Sequence, residues 1–273
     1  MPRPVPSQRV ARRRRLGLAA ILALGLCRPL AAAEPMAVPV DLELVLAIDC
    51  SSSVSNGEFT LQLEGIAAAF RHPDVLAAIE LAGPSGIAVT LLQWSSKSNQ
   101  VTAVNWRLVR DAETAADFAS RVLAARRAVG GGSTAIGSAI LQSALLLDRN
   151  GYKGKRRVID VSGDGTGNQG PPSAESRDLA AAVGITVNGL AITNKDRDLV
   201  EHYGREVIGG PSAFLVTARN YRDFARAMLK KLVIEIGGPP IAHLDDGTLT
   251  PSQVTDVQLT GRSATTGRAP RQR

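Results

Sequence analysis

The sequence predicts an α/β protein: a doubly wound, mostly parallel sheet of six strands with one antiparallel edge strand and helices on both faces. Three observations predict it. The strand segments are apolar along their whole length, as in LELVLAI (42–48), GIAVTLLQW (86–94) and ITVNGLAIT (185–193), which marks a sheet covered on both sides. Segments of helical period stand between most of them, so strands and helices alternate. One pair, 86–94 and 100–104, is joined only by the polar turn 95–99, which allows a hairpin but no crossover helix.

The elements follow in order. Strand one is 42–48. Ser55-Asn56-Gly57-Glu58 is an S-x-x-E capping box, and the helix it opens sets Phe59, Leu63, Ile66 and Phe70 on one face until Pro73 ends it. A short helical piece, 75–81, leads to the Gly83-Pro84 turn and strand two, 86–94. Strand three, 100–104, is shorter. Asp111 starts a helix with Phe118, Val122, Ala125 and Val129 on one face. GGGSTAIG (130–137) precedes a helix carrying Ile136, Ile140, Leu141, Ala144, Leu145 and Leu147, which stops at Asn150-Gly151. Strand four, RVIDVS (157–162), runs into GDGTGNQGPP. A helix over 174–183, strand five over 185–193, a helix over 197–208 and strand six over 212–217 come next. Asn220 caps a last helix with Phe224, Met228, Leu232 and Ile236 on one face, and Gly237-Gly238-Pro239-Pro240 ends it. One domain therefore spans 38–238. The tail, 239–273, is rich in Pro, Gly, Thr, Ser and Arg without periodicity and reads as disordered.

The net charge of +7 suggests a nucleic-acid binder until its origin is traced. Seven of the 32 basic residues fall within 1–33, where no acid stands, and the rest balance the 25 acids. Residues 1–33 combine a basic start, an apolar run over 16–26 and Ala31-Ala32-Ala33, the pattern of a cleaved secretory signal peptide. The apolar run is too short to span a bilayer. The expected product is periplasmic or secreted, with no stable membrane span. It is formally neutral, so no net field draws phosphate and nucleic acid is excluded as a partner. Cys27 follows Leu26 rather than a small residue, which argues against lipid attachment there. Cys50 then remains alone, a small buried residue without an internal disulfide partner.

In open α/β sheets ligands bind beyond the carboxyl ends of the strands. Strand one ends in Asp49-Cys50-Ser51-Ser52-Ser53, strand four in Ser162-Gly163-Asp164-Gly165, and the loop 130–134 with Thr134 reaches the same edge. Asp49, Ser51, Ser53, Thr134 and Asp164 form a candidate metal site. Hydroxyls and carboxylates are hard donors that suit Mg²⁺, with Mn²⁺ or Ca²⁺ possible, in preference to Zn²⁺. Alternate positions 49, 51 and 53 can point into one site while Cys50 and Ser52 face away.

Asp49-x-Ser51-x-Ser53, the Thr134 of GGGSTAIGSAI and the Asp164 of VIDVSGDG resemble the D-x-S-x-S…T…D pattern of von Willebrand factor type A domains, their metal-ion-dependent adhesion site (MIDAS). The resemblance covers about 200 residues with matching element order. It implies that Ser51 and Ser53 hold the metal through their hydroxyls. Thr134 would bind directly in one state, and Asp49 and Asp164 would act mostly through water. A vacant position would take an Asp or Glu of a protein partner. Many members of that family read T-D-G on strand four. The Ser162-Gly163-Asp164-Gly165 found here is similar to an exported bacterial subgroup of unassigned function, and its extra glycine is expected to shift Asp164 slightly.

Other motifs carry less. Gly165-x-Gly167-x-x-Gly170 matches a dinucleotide fingerprint, but it follows strand four, runs into Pro171-Pro172 and lacks an acid at the end of the next strand. His72, His202 and His243 are scattered, and no G-x-S-x-G is present. The leading expectation is thus a binding module and not an enzyme. A Mg²⁺-dependent hydrolase of phosphorylated substrates and a metal-free scaffold are the alternatives.

Overall fold

The structure is a computed structural model that describes residues 37–194, 196, 198–238 and 248–249. The six expected strands form: β1 (Val38–Asp49), β2 (Ile87–Trp94), β3 (Gln100–Val109), β4 (Tyr152–Gly163), β5 (Ile185–Ile192) and β6 (Leu215–Ala218). β1 pairs in parallel with β2 and β4, β4 with β5, and β5 with β6, while β3 pairs antiparallel with β2. A two-residue β7 (Thr248–Leu249) adds antiparallel to β6, giving the order β3-β2-β1-β4-β5-β6-β7. Two residues carry no readable period, so this pairing was not expected within the tail. The remainder of 239–273 and residues 1–33, where a signal peptide is expected, lie outside the described residues.

The helices are α1 (Asn56–Phe70), α2 (Pro73–Ala82), α3 (Ala112–Ala124), α4 (Ile136–Asp148), α5 (Ser173–Ala182), α6 (Leu199–His202) and α7 (Phe224–Gly237). β1 shows why they cover both faces. Its Leu42, Leu44, Leu46 and Ile48 pack with α1, α2, α3 and α7, and its Val45 and Ala47 pack with α4, α5 and α6. Each Leu, Ile or Val side chain so buried contributes about 1.5–3 kcal/mol. The sheet position next to β1's carboxyl end is therefore held by core on both sides.

Local chemistry explains most boundaries. Ser55 accepts the Glu58 N–H at 3.2 Å and its own N–H donates to the Glu58 carboxylate at 2.8 Å, completing the capping box of α1. Pro73 opens α2 rather than merely stopping α1, because it sits where a missing N–H costs nothing. β3 runs past 104 to Val109 because it is an edge strand whose polar Asn105 and Arg107 interrupt the apolar run without breaking the ladder. α3 ends at Ala124, so Val129 packs from the following loop. The helix expected over 197–208 is instead one α turn followed by a π-helical turn, Tyr203–Val207, closed by Ile208 N–H to Tyr203 C=O at 3.0 Å. Such turns often mark functional sites. No helix among the described residues is long and apolar enough to cross a membrane.

Candidate functional site

β1 delivers Asp49 to the carboxyl edge between two neighbours. Asp49 pairs with Trp94 of β2, and the Ile48–Ser162 pairing on β4 sets it beside Gly163. The chain then curls at once. The Ser51 N–H donates to Asp49 Oδ1 at 2.7 Å, a local turn that Asp favours. Gln62 of α1 donates to the Asp49 carbonyl at 3.0 Å, tying the turn to the helix it feeds.

This curl gathers the hydroxyls. Ser51 Oγ and Ser53 Oγ lie 3.0 Å apart, and Ser53 Oγ donates to Asp164 Oδ1 at 2.5 Å. Asp49, Ser51, Ser53 and Asp164 are thus one chain of contacts linking the ends of β1 and β4. Thr134, buried, faces the same loop: a Cβ added to Gly165 would lie 3.8 Å from its hydroxyl. Every residue expected from the sequence is at this edge.

Two further loops hold the arrangement. Ser52 and Gly132 form a reciprocal pair, Gly132 N–H to Ser52 Oγ at 2.6 Å and Ser52 N–H to Gly132 C=O at 3.0 Å. Ser52 faces away from the cluster but pins the glycine loop. That loop needs glycine at 132, where φ is 122° and an added Cβ would stand 2.5 Å from Ser96 Oγ. Asn168 clamps Thr134 at two points, accepting its N–H at 2.8 Å and donating to its carbonyl at 2.9 Å. Arg127 donates to the Cys50 carbonyl at 2.9 Å and lies over the Phe59 ring, so it supports the serine loop and is not a solvated charge.

The electrostatics are unusual around Asp49. Burial pushes its carboxyl up to about 7, the Ser51 hydrogen bonds oppose this, and the charge of Asp164 adds to it. Its Oδ2 has no hydrogen-bond partner, and neither has the buried Tyr203 hydroxyl that comes in from the π-helical turn. Gly163 separates them. A Cβ there would stand 2.8 Å from Tyr203 Oη and 3.0 Å from Asp49 Oδ2. The additional glycine is therefore the point where the backbone makes room for both groups. Cys50 is free and buried, its thiol pushed up to about 12 chiefly by burial, which makes it inert.

Sequence reasoning missed Tyr203, Asn168 and the pinning role of Ser52. Only the excess of serines at 51–53 and the Asn168 after the glycines offered any signal. Among the described residues no three His, Cys, Asp or Glu side chains gather as metal ligands. The donors here are two carboxylates and three hydroxyls, a set that suits a hard divalent cation. The orphan Asp49 oxygen fits the same requirement, since a buried unpaired acceptor costs free energy that a cation or its water would recover.

The family model DUF1194, described as a protein of unknown function, matches residues 39–240. The chain belongs to this family. No curated protein matches the DUF1194 chain. Solved structures do. Proximal thread matrix protein 1 from the mussel byssus, with a zinc-occupied MIDAS motif, is 17% identical with a TM-score of 0.56, covering 72% of this chain and 48% of that one. A von Willebrand factor type A structure from Catenulispora acidiphila is 16% identical with a TM-score of 0.51, covering 72% and 43%. The vWF domain of the type V pili tip protein Mfa5 from Porphyromonas gingivalis is 10% identical with a TM-score of 0.50, covering 76% and 99%. The DUF1194 chain spans about half the length of the byssus protein. These likenesses establish the von Willebrand factor type A fold for the DUF1194 domain.

Proposed function

We propose that the domain is an exported, metal-dependent protein-binding module whose cation is held by Asp49, Ser51, Ser53, Thr134 and Asp164. The observation that carries this reading is the convergence of three hydroxyls and two carboxylates at the carboxyl edge, with Asp49 Oδ2 buried and unpartnered. Mg²⁺ is the proposed ion, with Mn²⁺ and Ca²⁺ close to it in donor preference. The bound ion would supply an incomplete coordination shell that attracts an anionic oxygen. The protein residues do the rest. Asp49 and Asp164 supply charge from two strands, Ser51 and Ser53 supply oxygens from one turn, and Asn168 fixes where Thr134 presents its own. An Asp or Glu of a partner protein would complete the site.

Pili tip and byssus proteins among the structural relatives support an adhesive, non-enzymatic role. The zinc in the byssus protein's MIDAS supports divalent metal binding in this fold and makes Zn²⁺ a necessary comparison ion. The test is thermal unfolding with and without millimolar Mg²⁺, Mn²⁺, Ca²⁺ or Zn²⁺, for the wild type and Asp49→Ala. A ligand of the native state at a hundred times its Kd stabilises by about 2.7 kcal/mol. The wild type should gain that stability and Asp49→Ala should not. A wild type indifferent to all four ions would end the metal reading.

A further inference from the structure

α7 carries a lysine on its buried face. Lys231 follows Met228 on the face that packs against the sheet and is fully buried. Its Nζ stands 3.0 Å from Asp160 Oδ1 on β4 and 3.1 Å from Glu235 Oε1, one turn further along α7. Asn188 of β5 donates to that same Glu235 oxygen at 2.8 Å. The Phe214 ring lies 5.0 Å from the ammonium. Lys231, Asp160, Glu235 and Asn188 are each no more than 2% exposed.

Ion pairing leaves this cluster incomplete. One ammonium touches both acids, while the Arg156 guanidinium, bonded to the Glu235 and Ile236 carbonyls, brings a second positive charge near Glu235 but none to Asp160. Burial pushes the Asp160 carboxyl upward toward its neutral form, Lys231 opposes this and Glu235 adds to it. The Nζ–Oδ1 contact is close but lacks the alignment of a hydrogen bond, and Glu235 Oε2 has no partner. An amine, a carboxyl and a second acid are thus held in contact where water is excluded. Proximity of this kind replaces the entropy of an encounter, and dryness favours a reaction that releases water.

We propose that Lys231 and Asp160 are the two halves of an intramolecular isopeptide cross-link, with Glu235 as the proton carrier. Glu235 takes one proton from the ammonium. The freed Nζ lone pair forms a bond to Cγ of the neutral Asp160 carboxyl. Glu235 then passes its proton to the hydroxyl on that carbon and takes the second proton from nitrogen. The carbon–oxygen bond breaks and water leaves. The products are an amide, one water and a neutral Glu235, so a pocket that held an ammonium and a carboxylate ends without charge. The bond ties the last helix to β4, a staple that Cys50, the free cysteine of the described residues, cannot provide. It does not depend on the metal site.

The full-length protein, purified and denatured, should weigh less than its sequence by one water once its N-terminus is assigned. A tryptic digest should contain a branched peptide joining the Asp160 and Lys231 segments, with no cleavage after Lys231. Glu235→Gln should abolish or slow the link and restore the lost mass, and Lys231→Arg should never form it. A wild type of full mass that trypsin cuts after Lys231 would overturn the proposal without any variant having to fold. A link that forms undiminished in Glu235→Gln would remove Glu235 from the role given to it.

Discussion

Asp49 and Asp160 are buried carboxyls on adjacent strands of one sheet, yet their surroundings differ. Asp160 meets the ammonium of Lys231 and the acid of Glu235 inside the α7 face, sealed from solvent. Asp49 meets the Ser51 main-chain N–H and the Ser51 hydroxyl at the loop edge, and its Oδ2 has no hydrogen-bond partner. Burial raises both carboxyls. The first region answers that cost from within the chain. The second leaves one oxygen unanswered within the chain, at the carboxyl edge where we propose that the cation sits. The contrast teaches what separates the two acids: at Asp160 the chain supplies a cation itself, and at Asp49 it does not.

The largest effect tests the sealed cluster. Lys231→Met removes the proposed cross-link and leaves Asp160 and Glu235 in the core without their lysine, and losing the partner of a buried charge costs about 3–5 kcal/mol. Urea unfolding in metal-free buffer should show that loss, and a smaller one for Asp49→Ala. Equal losses would break the comparison. The next effect tests the crowding around Asp49. Gly163→Ala drives a methyl against Tyr203 Oη and Asp49 Oδ2, and overpacking costs about 1–3 kcal/mol. Its thermal midpoint should fall and its response to divalent ions should shrink. An alanine variant that keeps the full metal response would remove Gly163 and Tyr203 from the site.

The smallest effect is a pH dependence at the site's rim. His202 accepts the Gly167 N–H at 3.4 Å, and burial, more than any nearby charge, holds its pKa below the ordinary 6.5. The unfolded chain therefore binds a proton that the folded chain refuses. This contribution is complete above pH 6.5 and is lost as pH falls from there through the lowered folded value. Midpoints measured from pH 7.5 down to about 5 should decline more steeply for the wild type than for His202→Gln. Matching slopes would show that His202 remains uncharged at no cost.

Much of this was legible because it is local or periodic. The capping box at Ser55, the apolar run of β1 and the spacing of Asp49, Ser51 and Ser53 lie within a few residues of one another. Other features were not legible. The start of α2 at Pro73 and the length of β3 depend on caps and ladder partners. Tyr203 comes to the other side of Gly163 from Asp49 at the start of a π-helical turn, which has no sequence signature here. Lys231 and Glu235 stand outside the expected apolar face of Phe224, Met228, Leu232 and Ile236, and their burial follows only from the sheet packed over them.

The amino-acid order by itself determined the alternation of strands and helices, and with it which strand ends carry carboxylates and hydroxyls. Both follow from side-chain period and from the short range of capping and turn hydrogen bonds. Only the tertiary structure decided which acids are compensated internally, which oxygen stays unpaired and which glycine makes room for it. Those outcomes depend on desolvation and on contacts between residues distant in the chain, and these exist only once the sheet and its helices have closed around them.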